Sequence, residues 1–190
     1  KFIYQIIMKD NRPNILIWAV GHSGTSIITK AIANLGWNTG EVNGKFENLD
    51  FLEATQNVHY KGANKVYFEK GIEVVKNLPK PWVLKSTFIV TEGKRWLQKL
   101  HEEDDFLLLH FERSAEAIFK SHQRRNEGTT LDTVYEKQKM IRESFSTYNG
   151  LKISLSFENL MDRIEMFDTD RGQNRTAIMF LKKIARKLNI

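Results

Sequence analysis

The change of period across residues 14–36 constrains this chain most. Asn14–Val20 reads NILIWAV, a continuous apolar run, and Gly21-His22-Ser23-Gly24 follows at once. A run without polar alternation is buried on both faces, as strands of a parallel sheet are. From Ser26 onward the apolar residues Ile27, Ile28, Ala31, Ile32 and Leu35 fall at helical spacing, with Gly36 placed to end the helix. Strand, glycine-rich turn and helix is an arrangement that holds phosphate. The helix start presents unpaired N–H groups and partial positive charge, and glycines let the backbone approach an anion. Thr25 and Ser26 add hydroxyls at the first turn. The loop is not G-x-x-x-x-G-K-[ST], because no Gly-Lys-Ser/Thr occurs and Lys30 lies more than one turn into the helix. Taken alone, such a turn is either an anion site or a tight corner.

The rest of the chain repeats the alternation. Short apolar strands are predicted at Trp82–Lys85, Phe106–Phe111 and Lys152–Phe157. Helices are predicted at Thr91–His101, Ala115–Arg125, Leu131–Phe145 and Thr176–Leu188. Asn38–Gly71 is polar and glycine-dotted, and reads as a loop, a short helix near Leu49–Val58 and another loop. Strands alternating with helices imply an α/β fold of three layers, α/β/α, around a central parallel sheet, with a P-loop-like strand–loop–helix phosphate site. Residues 1–190 read as a single domain with residues 1–13 as a lead-in. No repeat or linker interrupts them.

Composition excludes several classes. With 190 residues the chain is long enough to bury roughly 70% of its unfolded surface, so it needs no staples. It has no cysteine, which removes disulfide frameworks, thiolate metal sites and cysteine nucleophiles. No H-E-x-x-H or Asp-rich metal signature is present, so no metal is expected. No apolar run approaches about 18 residues, so no membrane span is expected, and a cytoplasmic location follows as the expectation. The 29 Lys and Arg against 23 Asp and Glu give +6, which suits an anionic partner or is simply a lysine-rich surface. Nucleic acid is not expected, because no basic stripe is interleaved with aromatics.

Two blocks carry a resemblance. HSGTSIITKAI, residues 22–32, resembles the 5′-phosphosulfate loop of sulfotransferases that use 3′-phosphoadenosine 5′-phosphosulfate (PAPS). In that family a basic residue precedes Ser-Gly-Thr-Ser/Thr. FLLLHFERSAEAIFKSHQRR, residues 106–125, resembles the family's 3′-phosphate site, an Arg at a strand end and a Ser eight residues later. Arg113 and Ser121 stand at those positions. Three weaker blocks occur in the same order. GEVNGKFENLDFLEATQNV resembles the acceptor-side segment of bacterial and carbohydrate-type members, making 38–71 the expected acceptor side. WVLK resembles the strand ending in a lysine near the sulfuryl group, and LSFENLMDR a C-terminal "YEDL" segment. The departures are specific. His22 replaces the usual Lys or Arg, Thr87 stands where cytosolic members carry a catalytic His, and no Arg follows Lys85 before Arg95.

The resemblance implies sulfuryl transfer from PAPS to a hydroxyl or amine of a small-molecule or carbohydrate acceptor, releasing adenosine 3′,5′-bisphosphate. Gly21, His22, Ser23, Gly24, Thr25, Ser26, Arg113 and Ser121 would bind the nucleotide. Glu47, His22 and Lys85 would act in catalysis. Other roles stay open for these side chains: a helix-entry carboxylate for Glu47, a structural histidine for His22 and a surface lysine for Lys85. Arg113 and Ser121 would otherwise be an ion-pair partner and a hydroxyl bonded within its own helix. His110 reads as core, His101 and His122 as surface, and Trp18 and Trp37 as core. Arg124 and Arg125 either reach nucleotide or cap their helix. Arg171, Gly172 and Arg175 form a polar loop that could close on the 3′-phosphate. The rival readings are a P-loop kinase-like nucleotide binder and a degenerate member that binds nucleotide without turnover.

Overall fold

The computed structural model describes residues 12–61, 65–87 and 92–158. The predicted last helix, the Arg171–Arg175 loop, most of the lead-in and the end of the LSFENLMDR segment lie outside the described residues.

Among the described residues, four parallel strands form the sheet: β1 (Asn14–Trp18), β2 (Val83–Ser86), β3 (Phe106–Glu112) and β4 (Lys152–Ser156). Their order is β2-β1-β3-β4. In register, Ile15 lies beside Val83 and Leu107, and Trp18 beside Ser86 and His110. β1 and β3 are adjacent, while the connections from them run to opposite sides: β1 leads to β2 and β3 to β4. The crevice beyond the carboxyl ends of β1 and β3 is therefore the switch point at which open α/β sheets bind ligands.

Alternate residues of the strands feed two cores, which is why the strand sequences are apolar throughout. Ile15, Ile17, Val83, Leu107, Leu109, Ile153 and Leu155 pack with Ile28 and Ile32 of helix α1 (Thr25–Ala33). On the other face Leu16, Trp18, Leu84 and Leu108 meet five helices: α2 (Leu49–Lys61), α3 (Lys65–Asn77), α4 (Gly93–Glu103), α5 (Ala115–Gln123) and α6 (Leu131–Thr147). Phe51, Phe68, Trp96, Ile118 and Val134 fill the space between them. The three-layer α/β/α architecture is thus present, with the parallel sheet at its centre. At the amino ends of the strands, Asn14 ties the sheet together: its amide donates to Asp104 and to the Asp105 carbonyl, and its oxygen accepts the Trp82 N–H. No helix among the described residues is long and apolar enough to cross a membrane.

Helix α3 corrects the sequence reading, which placed a loop up to Gly71. Gly71 lies inside α3 because the helix packs hard on Trp96, where a β-carbon would come within 2.1 Å of the indole. Phe68 stacks on the same indole at 4.7 Å. The glycine marks a close approach of two helices, not a turn.

Candidate functional site

The phosphate loop is shaped by two residues with left-handed backbone, His22 (φ 65) and Gly24 (φ 82). A β-carbon on Gly24 would come within 2.2 Å of the Phe157 ring, so conformation and space both call for glycine. Ser23 is buried, and its hydroxyl donates to the Val20 carbonyl at 2.7 Å. It pins the loop to the end of β1 and does not face outward. Gly24 is the cap residue of α1 and offers no side chain to the helix's first N–H groups; Ile27 N–H donates to the Gly24 carbonyl at 3.2 Å, and those of Thr25 and Ser26 are left for an anion.

A cleft of about 530 Å³ opens above this loop, in the range of small-ligand sites. Gly21, His22, Gly24, Thr25 and Ser26 line it, as do Lys85, Glu47, Arg113 and Ser121. Of the ten residues expected to bind nucleotide or act in catalysis, Ser23 alone does not. Lys45, Thr87, Arg125, Glu127, Thr129, Lys137 and His122 complete the wall around them. Five cationic side chains thus face the cleft against two carboxylates, a lining suited to a multiply charged anion.

One flank is buried. Lys85, at the end of β2, has a side chain 2% exposed. Its ammonium donates to Ser26 Oγ at 2.8 Å and to the Lys45 carbonyl at 2.6 Å, with Glu47 at 3.6 Å. Burial pushes the Lys85 pKa below the ordinary lysine value, and the Glu47 carboxylate pulls it back up. Glu47 is delivered by a turn that the sequence NGKFE builds. The Asn43 side-chain oxygen accepts the N–H groups of Lys45 and Glu47, and its amide donates to Glu47 Oε2 at 2.9 Å. Phe46 takes a positive φ of 56 to close the turn.

The other flank is half open. Arg113 leaves the end of β3 and donates to the His22 carbonyl at 2.8 Å, while its guanidinium lies 4.7 Å from the centre of the Phe157 ring. Gln138 on α6 holds the Arg113 carbonyl at 2.6 Å. His22 Nδ1 lies 3.1 Å from Ser121 Oγ, and Nε2 lies 3.0 Å from Glu127 Oε2. The His122 ring rests against His22 with centroids 4.0 Å apart. Burial, then the neighbouring His122, lowers the His22 pKa; Glu127 opposes them. His122 is therefore not the surface residue that the sequence suggested. It lines the cleft, its side chain 12% exposed. Arg124 and Arg125 divide: Arg124 donates to its own helix at the Lys120 carbonyl, and Arg125 faces the cleft. His110, Trp18 and Trp37 are buried, as read from the sequence.

Sequence reasoning did not single out Lys45, Lys137, Thr129, Glu127 or Phe157. Lys137, Thr129 and Glu127 carry no motif and reach the cleft only through the fold, while Lys45 lies within the GEVNGKFENLDFLEATQNV block without a role in that reading. Phe157 had a signal, because it ends the predicted strand Lys152–Phe157, and in the structure it directly follows β4 beside the phosphate loop, where ligands bind.

No protein-family model matches the chain, and no curated protein matches it. Among solved structures it is similar to deoxyadenosine kinase from M. mycoides with bound dCTP: 13% identity, 93% of this chain and 98% of that chain covered, TM-score 0.47. A likeness of this size is one of chain course.

Proposed function

We propose that the chain is a sulfotransferase that binds PAPS and moves its sulfuryl group to a hydroxyl or amine of a small-molecule or carbohydrate acceptor. One observation carries this reading. The loop after β1 and the Arg113/Ser121 couple after β3 open into one cleft at the switch point, and that cleft is rich in cations. A nucleotide phosphorylated at both the 3′ and 5′ positions needs two anion cradles opening into one cleft, and the motifs of residues 22–32 and 106–125 both contribute residues to its lining.

In this reading the acceptor oxygen attacks sulfur, the S–O bond to the 5′-phosphate breaks, and the leaving phosphate gains negative charge. The N–H groups at the start of α1, Ser26 and Lys85 stabilise that charge, as preorganised donors do in group transfer of this kind. Glu47 accepts the acceptor's proton. Its carboxylate lines the cleft 3.6 Å from the Lys85 ammonium, within reach of an acceptor bound there. Arg113 grips the 3′-phosphate with its fork, and Ser121 adds a hydroxyl.

The test is incubation with ³⁵S-labelled PAPS and a panel of sugars, phenols, alcohols and amines. The reading expects labelled acceptor and release of adenosine 3′,5′-bisphosphate. Binding of that nucleotide without transfer to any acceptor would favour a non-catalytic binder. A P-loop kinase, the activity named for the deoxyadenosine kinase, would instead show magnesium-dependent phosphoryl transfer from ATP. That chemistry calls for a Gly-Lys-Ser/Thr loop, absent here, and an acidic metal ligand at a strand end. Glu112 stands at the end of β3 but is engaged by Arg142 at 2.6 Å.

A further inference from the structure

We propose that His22, His122 and Glu127 form a binding site for a divalent transition-metal ion of the zinc class, with an open coordination position facing the phosphate cleft. The three residues come from the phosphate loop, the last turn of α5 and the segment after it, and one ligand atom from each lies within 4.8 Å of the others. Glu127 Oε2 is the hub, 3.0 Å from His22 Nε2 and 2.5 Å from His122 Nδ1. In a tetrahedral zinc site with bonds of about 2.0–2.1 Å, ligand atoms stand about 3.3 Å apart, so the cluster needs only small side-chain adjustments to take an ion.

Two further observations favour an ion over a chance contact. Ser121 Oγ engages the other nitrogen of His22 at 3.1 Å, an outer-sphere partner of the kind that fixes the orientation of a ligating imidazole. The His22 ring lies against the His122 ring of α5, centroids 4.0 Å apart, on a left-handed backbone with φ 65. Two imidazoles and one carboxylate leave the fourth position of a tetrahedral ion free, and all three residues line the cleft. Zinc-class ions suit imidazole and carboxylate donors, whereas magnesium and calcium prefer oxygen alone.

The ion site stands on this geometry alone. Its meaning for the reaction rests on the sulfotransferase reading. His22 occupies the place where the resembling family carries Lys or Arg, and an ion held there restores the missing positive charge beside the leaving phosphate. Arg113, Arg125 and Lys137 also face the cleft and work against a cation when the cleft lacks an anion. Phosphate binding should therefore strengthen ion binding, and by linkage the ion should strengthen phosphate binding equally.

The test uses tag-free chain stripped with a chelator and titrated with Co²⁺, followed by its visible absorption, and with Zn²⁺ by calorimetry, without nucleotide. The proposal expects one saturable equivalent and cobalt bands of a low-coordinate site. H122A and E127Q each weaken binding about a hundredfold or more, and S121A about tenfold, as outer-sphere partners do. Glu127 is 41% exposed in the segment after α5 and His122 12% exposed in its last turn, and unchanged circular dichroism would show that the variants fold. The absence of one-to-one binding by folded wild-type chain, or H122A and E127Q affinities within twofold of wild type, would overturn the site. A separate arm adds adenosine 3′,5′-bisphosphate. An ion that binds but is indifferent to this nucleotide contradicts the phosphate-facing position and leaves the ion site standing.

Discussion

The two flanks of the phosphate loop are built on opposite principles. On the β2 side, Lys85 is 2% exposed and Glu47 12%, and each is held by backbone or amide groups as well as by its partner. On the β3 side, Glu127 is 41% exposed, and the histidines it joins hold each other by ring contact. A buried polar network is rigid, and losing a member leaves other groups unsatisfied in a low dielectric. The exposed Glu127 can be altered with little harm to the fold, because water replaces what is lost, although the two histidines it joins are as covered as Glu47, 12% exposed. The first flank therefore couples chemistry to stability. The second tunes binding almost independently of it.

The largest effect should come from K85M. It removes the donor to Ser26 and the Lys45 carbonyl and leaves Glu47 without its cation. Sulfuryl transfer should fall about a hundredfold or more, and urea unfolding should show a loss of about 1–3 kcal/mol. A fully stable K85M protein would break the contrast between the flanks. G24A comes next. Its positive φ and the Phe157 ring both oppose a β-carbon, so a cost of about 1–3 kcal/mol is expected from backbone strain. Nucleotide binding should be lost with it, read by calorimetry. R113A should weaken adenosine 3′,5′-bisphosphate about 10- to 100-fold, in line with hydrogen bonds to charged groups worth about 1.5–3 kcal/mol. R113K should recover only part of this, because a lysine lacks the fork.

A pH series sharpens the comparison further. Burial holds the Lys85 pKa below the free value of 10.5, against the pull of Glu47. The cationic form binds phosphate, so affinity is full below that depressed pKa and falls as pH rises through it. In K85R, whose side chain stays charged, this alkaline loss should disappear. The smallest effect concerns E127Q, whose unfolding free energy should stay within about 0.5 kcal/mol of wild type. A large stability loss there would erase the distinction between the flanks.

Much of this was legible in the sequence, for physical reasons. The change of period at residues 14–36 gives strand, turn and helix because side-chain direction alone dictates which spacing buries an apolar face. Arg113 was readable because it follows an apolar strand directly. The contact between Lys85 and Ser26 was not, since it depends on β2 lying beside β1 rather than at another position in the sheet. Helix α3 was missed because Gly71 and the scattered aromatics imitate a loop, although they serve the packing on Trp96. The meeting of His22 with His122 and Glu127 was hidden by a hundred residues of intervening chain and by the absence of any short-range spacing. The fold creates that cluster, and no local pattern announces it.

Calorimetric comparison of adenosine 3′,5′-bisphosphate with adenosine 5′-monophosphate and ATP reads the pairing of the two anion cradles most directly. The account predicts that the bisphosphate binds at least tenfold more tightly than the monophosphate, and that R113A removes this preference while leaving the monophosphate nearly unaffected. ATP binding as tightly as the bisphosphate, or a preference that survives R113A, would contradict it.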